Sequence, residues 1–380
     1  MRLLVISHTA HHWKDGRPVG WGPTVREISR LGLLFDEVVH IAPLHEGVAP
    51  ESALPYDVPN VRHVPVPAAG GESAGDKLTV LRAWPQYLRV LLRELPRCDV
   101  VHVRCPSNIG LLSILVLALR RTPRRRWIKY AGNWRPNTRE GPSYTLQRWL
   151  LRRGAARAAV TVNGRWPEQP AHIHPFLNPC LTDEELREGA QVGASKRLGL
   201  PVRLLFVGRI EHAKGCGRAV DVLEDLSRKG IDARLDLVGD GPDRAALSAR
   251  IDAAGLSSRV RLLGWVARPS LNALYRDAHI LLFPSASSEG WPKVLSEGMA
   301  YGVVPVASTV SSIPQYLETF RAGRALDPLD REGFIEAIAA YVRDPGRWAQ
   351  ESARAMQAAA GFSYASYLTA VRGLLDLEAA

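Results

Sequence analysis

Short runs of apolar, β-branched residues recur along the chain, separated by longer stretches with helical spacing of apolar positions. In the first half they are RLLVIS (2–7), EVVHIAP (37–43), VRHVPVP (61–67), DVVHVRC (99–105), RWIKYAG (126–132) and AAVTVN (158–163). In the second half they are VRLLFVGR (202–209), ARLDLVGDG (233–241), RVRLLGWV (259–266), HILLFPS (279–285) and VVPVAS (303–308). Such runs, bounded by Gly, Pro and Asp, read as buried strands. Strands alternating with helices predict parallel sheets covered on both faces, an α/β class. Two series predict two Rossmann-like domains, residues 1–178 and 179–361, joined through HPFLNPCLTDEE (174–185). A C-terminal helix within 362–380 is expected to pack back toward the first domain. Open sheets of this kind bind ligands at the carboxyl ends of their strands, so paired domains are expected to face each other across a cleft.

One stretch, SSEGWPKVLSEGMAYG (287–302), places two carboxylates eight positions apart. Pro292 suits the first turn of a helix and Gly302 the position just past its end. Val294, Leu295 and Met299 give the helix a partly apolar face. Glu289 then falls in the preceding loop, and Glu297 about one and a half turns inside the helix. Backbone N–H groups of Gly290, Trp291 and Lys293 lie between them at the positive helix end, which favours phosphate. The plainer alternative is one acid near the helix dipole and one solvated acid.

At 380 residues the chain exceeds the usual limit of about 250–300 for one core, which reinforces two domains. The opening MRLLVISHTAHHW reads as a first strand rather than a signal peptide, because polar residues follow the short apolar run at once. The longest apolar run, IGLLSILVLAL (109–119), falls far short of the roughly 20 residues of a membrane span. Cys98, Cys105, Cys180 and Cys216 show no metal or redox spacing, as expected of reduced thiols in a cytoplasmic protein.

Charge is shared unevenly. Residues 1–180 hold 25 Lys plus Arg against 13 Asp plus Glu, net +12, leaving 24 against 25 for the remainder. If WPQYLRVLLRELPR (84–97) is helical, Leu81, Trp84, Leu88, Leu91 and Leu95 form one stripe with Arg82, Arg89 and Arg93 beside it. With Arg124, Arg125 and Arg126, such a surface could rest on the anionic inner face of a membrane. The alternative is an ordinary helix covering a sheet. No nucleic-acid partner is expected.

FVGRIEHAKG (206–215) offers Arg209 and Lys214 in a loop flanked by Gly208 and Gly215. Arg by paired hydrogen bonds and Lys as a point charge can hold a diphosphate. The P-loop spacing is absent. VGDGPDR (238–244), with Gly239, is a second strand-end turn. Together with these, LLGWVARPSLNALYRDAHILLFPSASSEGWPKVLSEGMAYGVVPVAS (262–308) closely resembles glycosyltransferase family 4 (group 1), retaining enzymes of the GT-B fold. The resemblance covers nearly all of residues 200–320, and residues 1–178 match only in outline.

The resemblance implies roles residue by residue. Glu289 and Glu297 match the family's E-x7-E pair, the first contacting hydroxyls of the donor sugar and the second the nucleotide ribose. Arg209 and Lys214 match the pair holding the donor diphosphate, with Gly208 and Gly239 in the adjoining turns. Gly290, Trp291 and Lys293 would offer backbone N–H groups to the donor, with Val294 beside them. Gly264, Trp265 and Val266 would lie near the base. DGRPVGWGPTVREISRL (15–31) looks like the family's glycine-containing loop near the donor phosphate. Its Gly20 and Gly22 are separated by Trp21, and Thr24 and Glu27 stand at capping-box spacing. His8, His11 and His12 read as a polar loop, with His12 a candidate for the acceptor or sugar wall. KYAGNWRP (129–136) places Asn133 and Trp134 where many relatives carry a sugar-binding histidine.

The implied activity is same-face transfer of a hexose-like unit from a nucleoside diphosphate sugar to a glycan, lipid-linked or small glycoside acceptor. Fixed cations and helix N–H groups would stabilise the charge developing on the leaving diphosphate, so no metal or other cofactor is obligatory. Two enzyme alternatives are a nucleotide-sugar epimerase and a GT-B phosphorylase. A third is a basic, non-catalytic binding protein of the same fold.

Overall fold

The computed structural model describes residues 1–70, 74–136 and 140–377, and the chain divides into two compact units, Met1–Phe176 with Tyr367–Ala380 and Leu177–Ser366. The last residues of the expected C-terminal helix, 378–380, lie outside the described residues.

The first unit runs β1 (Arg2–Ile6), β2 (His11–Lys14), β3 (Arg17–Trp21), α1 (Gly22–Leu31), β4 (Glu37–Leu44), β5 (Ala53–Pro55) and β6 (Val61–Pro67). It continues α2 (Ala74–Glu94), β7 (Val100–Cys105), α3 (Asn108–Leu119), β8 (Arg125–Tyr130), α4 (Pro142–Arg152), β9 (Ala159–Val162) and β10 (Ile173–Pro175). Among the described residues its sheet has the order β10-β9-β8-β7-β1-β4-β2-β3-β5, with β6 pairing β4. The central strand shows why a continuous apolar run is needed. Leu4 and Ile6 of β1 join the core under α2 and α3, whereas Leu3 and Val5 join a second core with Ile28 and Leu31 of α1. Alternate side chains point to opposite faces, and both faces are covered.

The second unit runs α5 (Asp183–Ser195), β11 (Val202–Val207), α6 (Cys216–Arg228), β12 (Ala233–Val238), α7 (Arg244–Ala253), β13 (Val260–Gly264) and α8 (Arg268–Asp277). β14 (Ile280–Phe283), α9 (Lys293–Ala300), β15 (Val304–Ser308), α10 (Ile313–Phe320), β16 (Arg324–Leu326), α11 (Arg331–Arg343) and α12 (Pro345–Ala359) follow. Its described strands pair in parallel in the order β13-β12-β11-β14-β15-β16. The same alternation recurs, Leu204 and Phe206 on one face and Leu205 and Val207 on the other. Each such side chain taken fully out of water contributes about 1.5–3 kcal/mol. α13 (Tyr364–Leu374) crosses the division, and its Tyr367 and Val371 pack in the first unit's second core. Among the described residues no helix is long and apolar enough to cross a membrane.

Several local expectations are corrected in the first unit. Residues 11–21 form an antiparallel hairpin, β2 with β3, rather than loops. Gly20 lies in β3, and a Cβ there would stand 2.5 Å from His11 Nε2, so the glycine seats the His11 ring. Thr24 and Glu27 make no capping box: α1 begins at Gly22, its N-cap position is Trp21, and no side chain caps it. Glu27 points inward instead, wholly buried, accepting hydrogen bonds from Arg104 and Lys129, each at 2.7 Å, and from the Tyr367 hydroxyl at 3.2 Å. A carboxylate with no exposure requires such partners.

His11 is likewise buried, in a closed ring of hydrogen bonds. Its Nδ1 donates to the Thr9 carbonyl at 2.8 Å, so Nε2 accepts from the Tyr56 hydroxyl at 2.8 Å. The Tyr56 oxygen accepts from His40 Nδ1 at 2.6 Å, and His40 Nε2 accepts from Ser7 Oγ at 2.7 Å. Ser7 Oγ in turn accepts from the Thr9 amide at 3.1 Å. With both imidazoles neutral every bond has one donor and one acceptor. Burial, then neighbouring histidines, hold His40 well below its ordinary range; burial foremost brings His11 to about 3.

The basic surface also differs from its expected form. On α2 the buried stripe is Ala83, Tyr87, Val90 and Leu91, while Leu81, Leu88 and Leu92 stand exposed beside Arg82, Arg89 and Arg93. Arg126 is not available to any surface. Its guanidinium is buried and donates to the carbonyls of Pro123, Leu117, Ala156 and Arg120.

Candidate functional site

The loops leaving the carboxyl ends of β11, β12, β13 and β14 carry most of the candidate residues, all on one edge of the second sheet. They interlock through backbone. Gly208 N donates to the Val238 carbonyl at 3.0 Å and Gly239 N to the Gly264 carbonyl at 2.8 Å. Gly239 has φ +129°, and a Cβ there would fall 1.9 Å from the Gly208 oxygen. Only glycine meets both demands. Gly264 closes β13, Trp265 stands exposed and Val266 packs partly into the core.

Arg209 and Lys214 follow in the loop from β11, which ends in a 3-10 turn (His212–Lys214) and a left-handed Gly215. The loop is fixed by Ile210 N to the Asp240 carbonyl and by His212 N to Asp243 Oδ2. Arg209 is largely exposed, its Nε 3.1 Å from Glu211 Oε2. Lys214 Nζ donates to Glu289 Oε1 at 2.9 Å, and Ser285 Oγ donates to the same oxygen at 3.3 Å. The structure thus brings one cation of the expected clamp to the first glutamate, and pairs the other with a neighbour in its own loop.

α9 starts at Lys293 with Pro292 at its N-cap, and Gly302 beyond it has φ +71°. Gly290, Trp291 and Lys293 stand at its amino end, and Val294 lies in the first turn. The Trp291 indole is core rather than site: it stacks on Phe362 with centroids 5.3 Å apart and donates to Ser296 Oγ at 2.6 Å. Glu297 is buried on α9. Its Oε1 lies 2.5 Å from Arg268 Nη1, and its Oε2 accepts from the Tyr275 hydroxyl at 3.1 Å. Arg268 also donates through Nε to Glu185 Oε1 at 2.6 Å and through Nη2 to the Cys180 carbonyl at 3.3 Å. Burial would lower the Arg268 guanidinium, but Glu297 and Glu185 outweigh it and raise it. Burial and then Glu297 push Tyr275 well above its usual range, so its hydroxyl stays a donor. Sequence reasoning missed Arg268, Tyr275 and Ser285. No local spacing links Arg268 to a carboxylate 29 positions on, although Ser285 stands four before Glu289.

The remaining candidates belong to the first unit. Gly20 and Gly22 are buried at the end of β3 and the start of α1. His12 lies on β2 and stacks on His45, with centroids 5.6 Å apart. Trp134 is 1% exposed, packed edge-on to Tyr130 and under Arg152, so its ring belongs to the core rather than to a sugar wall. Asn133 is buried too, its Oδ1 accepting from the Arg135 amide. A cavity of about 630 Å³ does open at the carboxyl ends of β1, β4 and β7, lined by His8, His45, Ser107, Asn108 and Tyr144 among others.

Residues 196–361 match the family described as glycosyl transferases group 1. A 2-deoxystreptamine glucosyltransferase of Streptomyces kanamyceticus is 30% identical over 187 residues, 44% of this chain and 48% of that protein. The chain spans between 34% and 53% of the length of such curated relatives. Sucrose-phosphate synthase from Thermosynechococcus elongatus superposes with a TM-score of 0.72 at 16% identity, over 99% of this chain and 100% of that one. HepE of Anabaena, crystallised with UDP and glucose, gives 0.67 at 15% identity over 99% of each chain. These two likenesses establish the fold as GT-B, built of two α/β units.

Proposed function

We propose that the protein, whose residues 196–361 match the glycosyl transferases group 1 family, is a retaining glycosyltransferase that uses a nucleoside diphosphate sugar. The observation that carries this reading is the Lys214–Glu289 pair on the strand-end edge of the second sheet, next to the amino end of α9. A cation, a helix amino terminus and a carboxylate in one place suit a diphosphate bonded to a hydroxyl-rich sugar. Arg209 and Lys214 hold the diphosphate, Glu289 takes hydroxyls of the sugar and Glu297 takes the ribose. The HepE neighbour of the same fold is crystallised with UDP, which is in keeping with a nucleotide as part of the donor.

As the anomeric C–O bond breaks, negative charge grows on the departing phosphate oxygen, and the fixed cations and α9 N–H groups stabilise it in place. That oxygen takes the proton of the acceptor hydroxyl, and the new C–O bond forms on the face the leaving group vacates. The first unit takes the acceptor, a glycan, lipid-linked or small glycoside, and its cavity at the ends of β1, β4 and β7 is large enough for a sugar. The exposed leucines and arginines of α2 support a second element, peripheral contact with an anionic membrane.

A thermal-shift panel of nucleoside diphosphate sugars tests the donor assignment directly, since a ligand at about 100 times its Kd adds roughly 2.7 kcal/mol of stability. Transfer assays with the stabilising donor, read by anomeric NMR of the product, then test retention. No shift with any uridine, guanosine, adenosine or thymidine diphosphate sugar would reject the reading.

A further inference from the structure

We infer that Arg268 is a positioning residue for the nucleotide, fixing the Glu297 carboxylate that receives the ribose. This rests on the reading of the second unit as a nucleotide-sugar site. Glu297 is 9% exposed and receives one donor on each oxygen, Arg268 Nη1 on Oε1 and the Tyr275 hydroxyl on Oε2. With both oxygens engaged, the carboxylate plane has a single setting. Arg268 and Tyr275 stand seven positions apart on α8, two helical turns, so one face of one helix presents both. A carboxylate accepts about four hydrogen bonds, so capacity remains for ribose hydroxyls.

The guanidinium is itself immobilised from behind. Its Nε donates to Glu185 Oε1, and Glu185 Oε2 accepts from the Thr182 amide within the capping box that starts α5. Its Nη2 reaches the Cys180 carbonyl. At the other end of α8, Lys196 Nζ donates to the Tyr275 and Ala278 carbonyls at 2.8 and 2.9 Å. The helix carrying both donors is therefore tied at each end. A lysine at 268 could not hold Glu185 and Glu297 together, because an ammonium lacks the planar fork.

The experiment compares UDP, ADP, GDP and thymidine diphosphate with their 2′,3′-dideoxy analogues by calorimetry. Whichever diphosphate the wild type binds should lose about tenfold or more in affinity when its ribose hydroxyls are removed. Arg268→Gln should weaken the ribose form by a similar factor and leave the dideoxy form nearly unchanged, so the discrimination collapses. Arg268→Lys should restore only part of it. A merely structural role would weaken both forms equally, and that result overturns the inference. Should Arg268→Gln fail to fold, Tyr275→Phe, which removes one hydroxyl, carries the same comparison with the same overturning result. Wild type that binds none of the four diphosphates would instead reject the underlying site reading, a failure seen before any variant is compared.

Discussion

Lys214 and Glu289, 75 positions apart in the chain, meet at 2.9 Å across the loops that leave β11 and β14. The pair means that the ammonium is already neutralised before any diphosphate arrives. A phosphate must therefore compete with the carboxylate for it.

This competition separates the two glutamates. Glu289→Gln frees Lys214, so affinity for free nucleoside diphosphate should hold or rise by up to about 1 kcal/mol, the scale of a half-exposed ion pair. Turnover should fall, because the sugar loses its carboxylate. Glu297→Gln should instead weaken both free nucleotide and donor. Calorimetry alongside a transfer assay distinguishes the two; equal losses of nucleotide affinity would contradict the assignment.

Arg209 makes a cleaner probe of the diphosphate, since it is largely exposed and its ion pair with Glu211 lies within its own loop. Arg209→Ala should cost about 1.5–3 kcal/mol of nucleotide binding, the range for charge-assisted hydrogen bonds. The melting temperature should hardly move. Unchanged affinity would remove Arg209 from the clamp.

The histidine ring of the first unit predicts an acid limit to stability. Folding depresses His11 to about 3 and His40 well below 6.5, so between those values and 6.5 the unfolded chain binds more protons than the folded one. Stability therefore rises with pH through this window and is lost as pH falls below 6.5, at up to about 1.4 kcal/mol per pH unit for each histidine. Tyr56→Phe, which breaks two ring bonds, should lower stability at neutral pH. Urea melts between pH 4 and 8 measure both effects, and a flat profile would refute the neutral-histidine ring.

Gly239→Ala should destabilise the second unit by more than about 2 kcal/mol, combining a disfavoured φ with a clash against the Gly208 carbonyl. Because that contact orders the strand-end loops, nucleotide affinity should fall with it. A variant as stable as wild type would show that the loops relax freely.

For the membrane contact, Arg89 and Arg93 on the exposed face of α2 are the residues to reverse. Each arginine near an anionic surface contributes on the order of 1 kcal/mol, screened by salt. Wild type should sediment with phosphatidylserine vesicles at low salt and release at high salt, and Arg89→Glu/Arg93→Glu should stay in solution while binding nucleotide normally. Absence of binding at any salt concentration would leave these arginines as solvated surface.

What the chain order alone determined is whatever depends on local pattern. Continuous apolar runs such as RLLVI and ILLF had to be buried on both faces, which dictated α/β layering, and Pro292 and Gly302 bounded α9 because their backbone limits act without neighbours. The candidate loops after β11, β12 and β14 were legible for the same reason, since glycines and charges there follow strands directly. The tertiary structure alone decided the partners of charges. Glu27 stood at cap spacing, yet Arg104 and Lys129, brought beside it by β7 and β8, turned it into the core. Arg126 sat in a basic run, yet four converging carbonyls buried it. Arg268 and Glu297 became a pair only when α8 was laid against α9. A side chain's periodicity states which face it shares, but the cost of burying its charge is settled by groups distant in sequence, and folding alone brings those together.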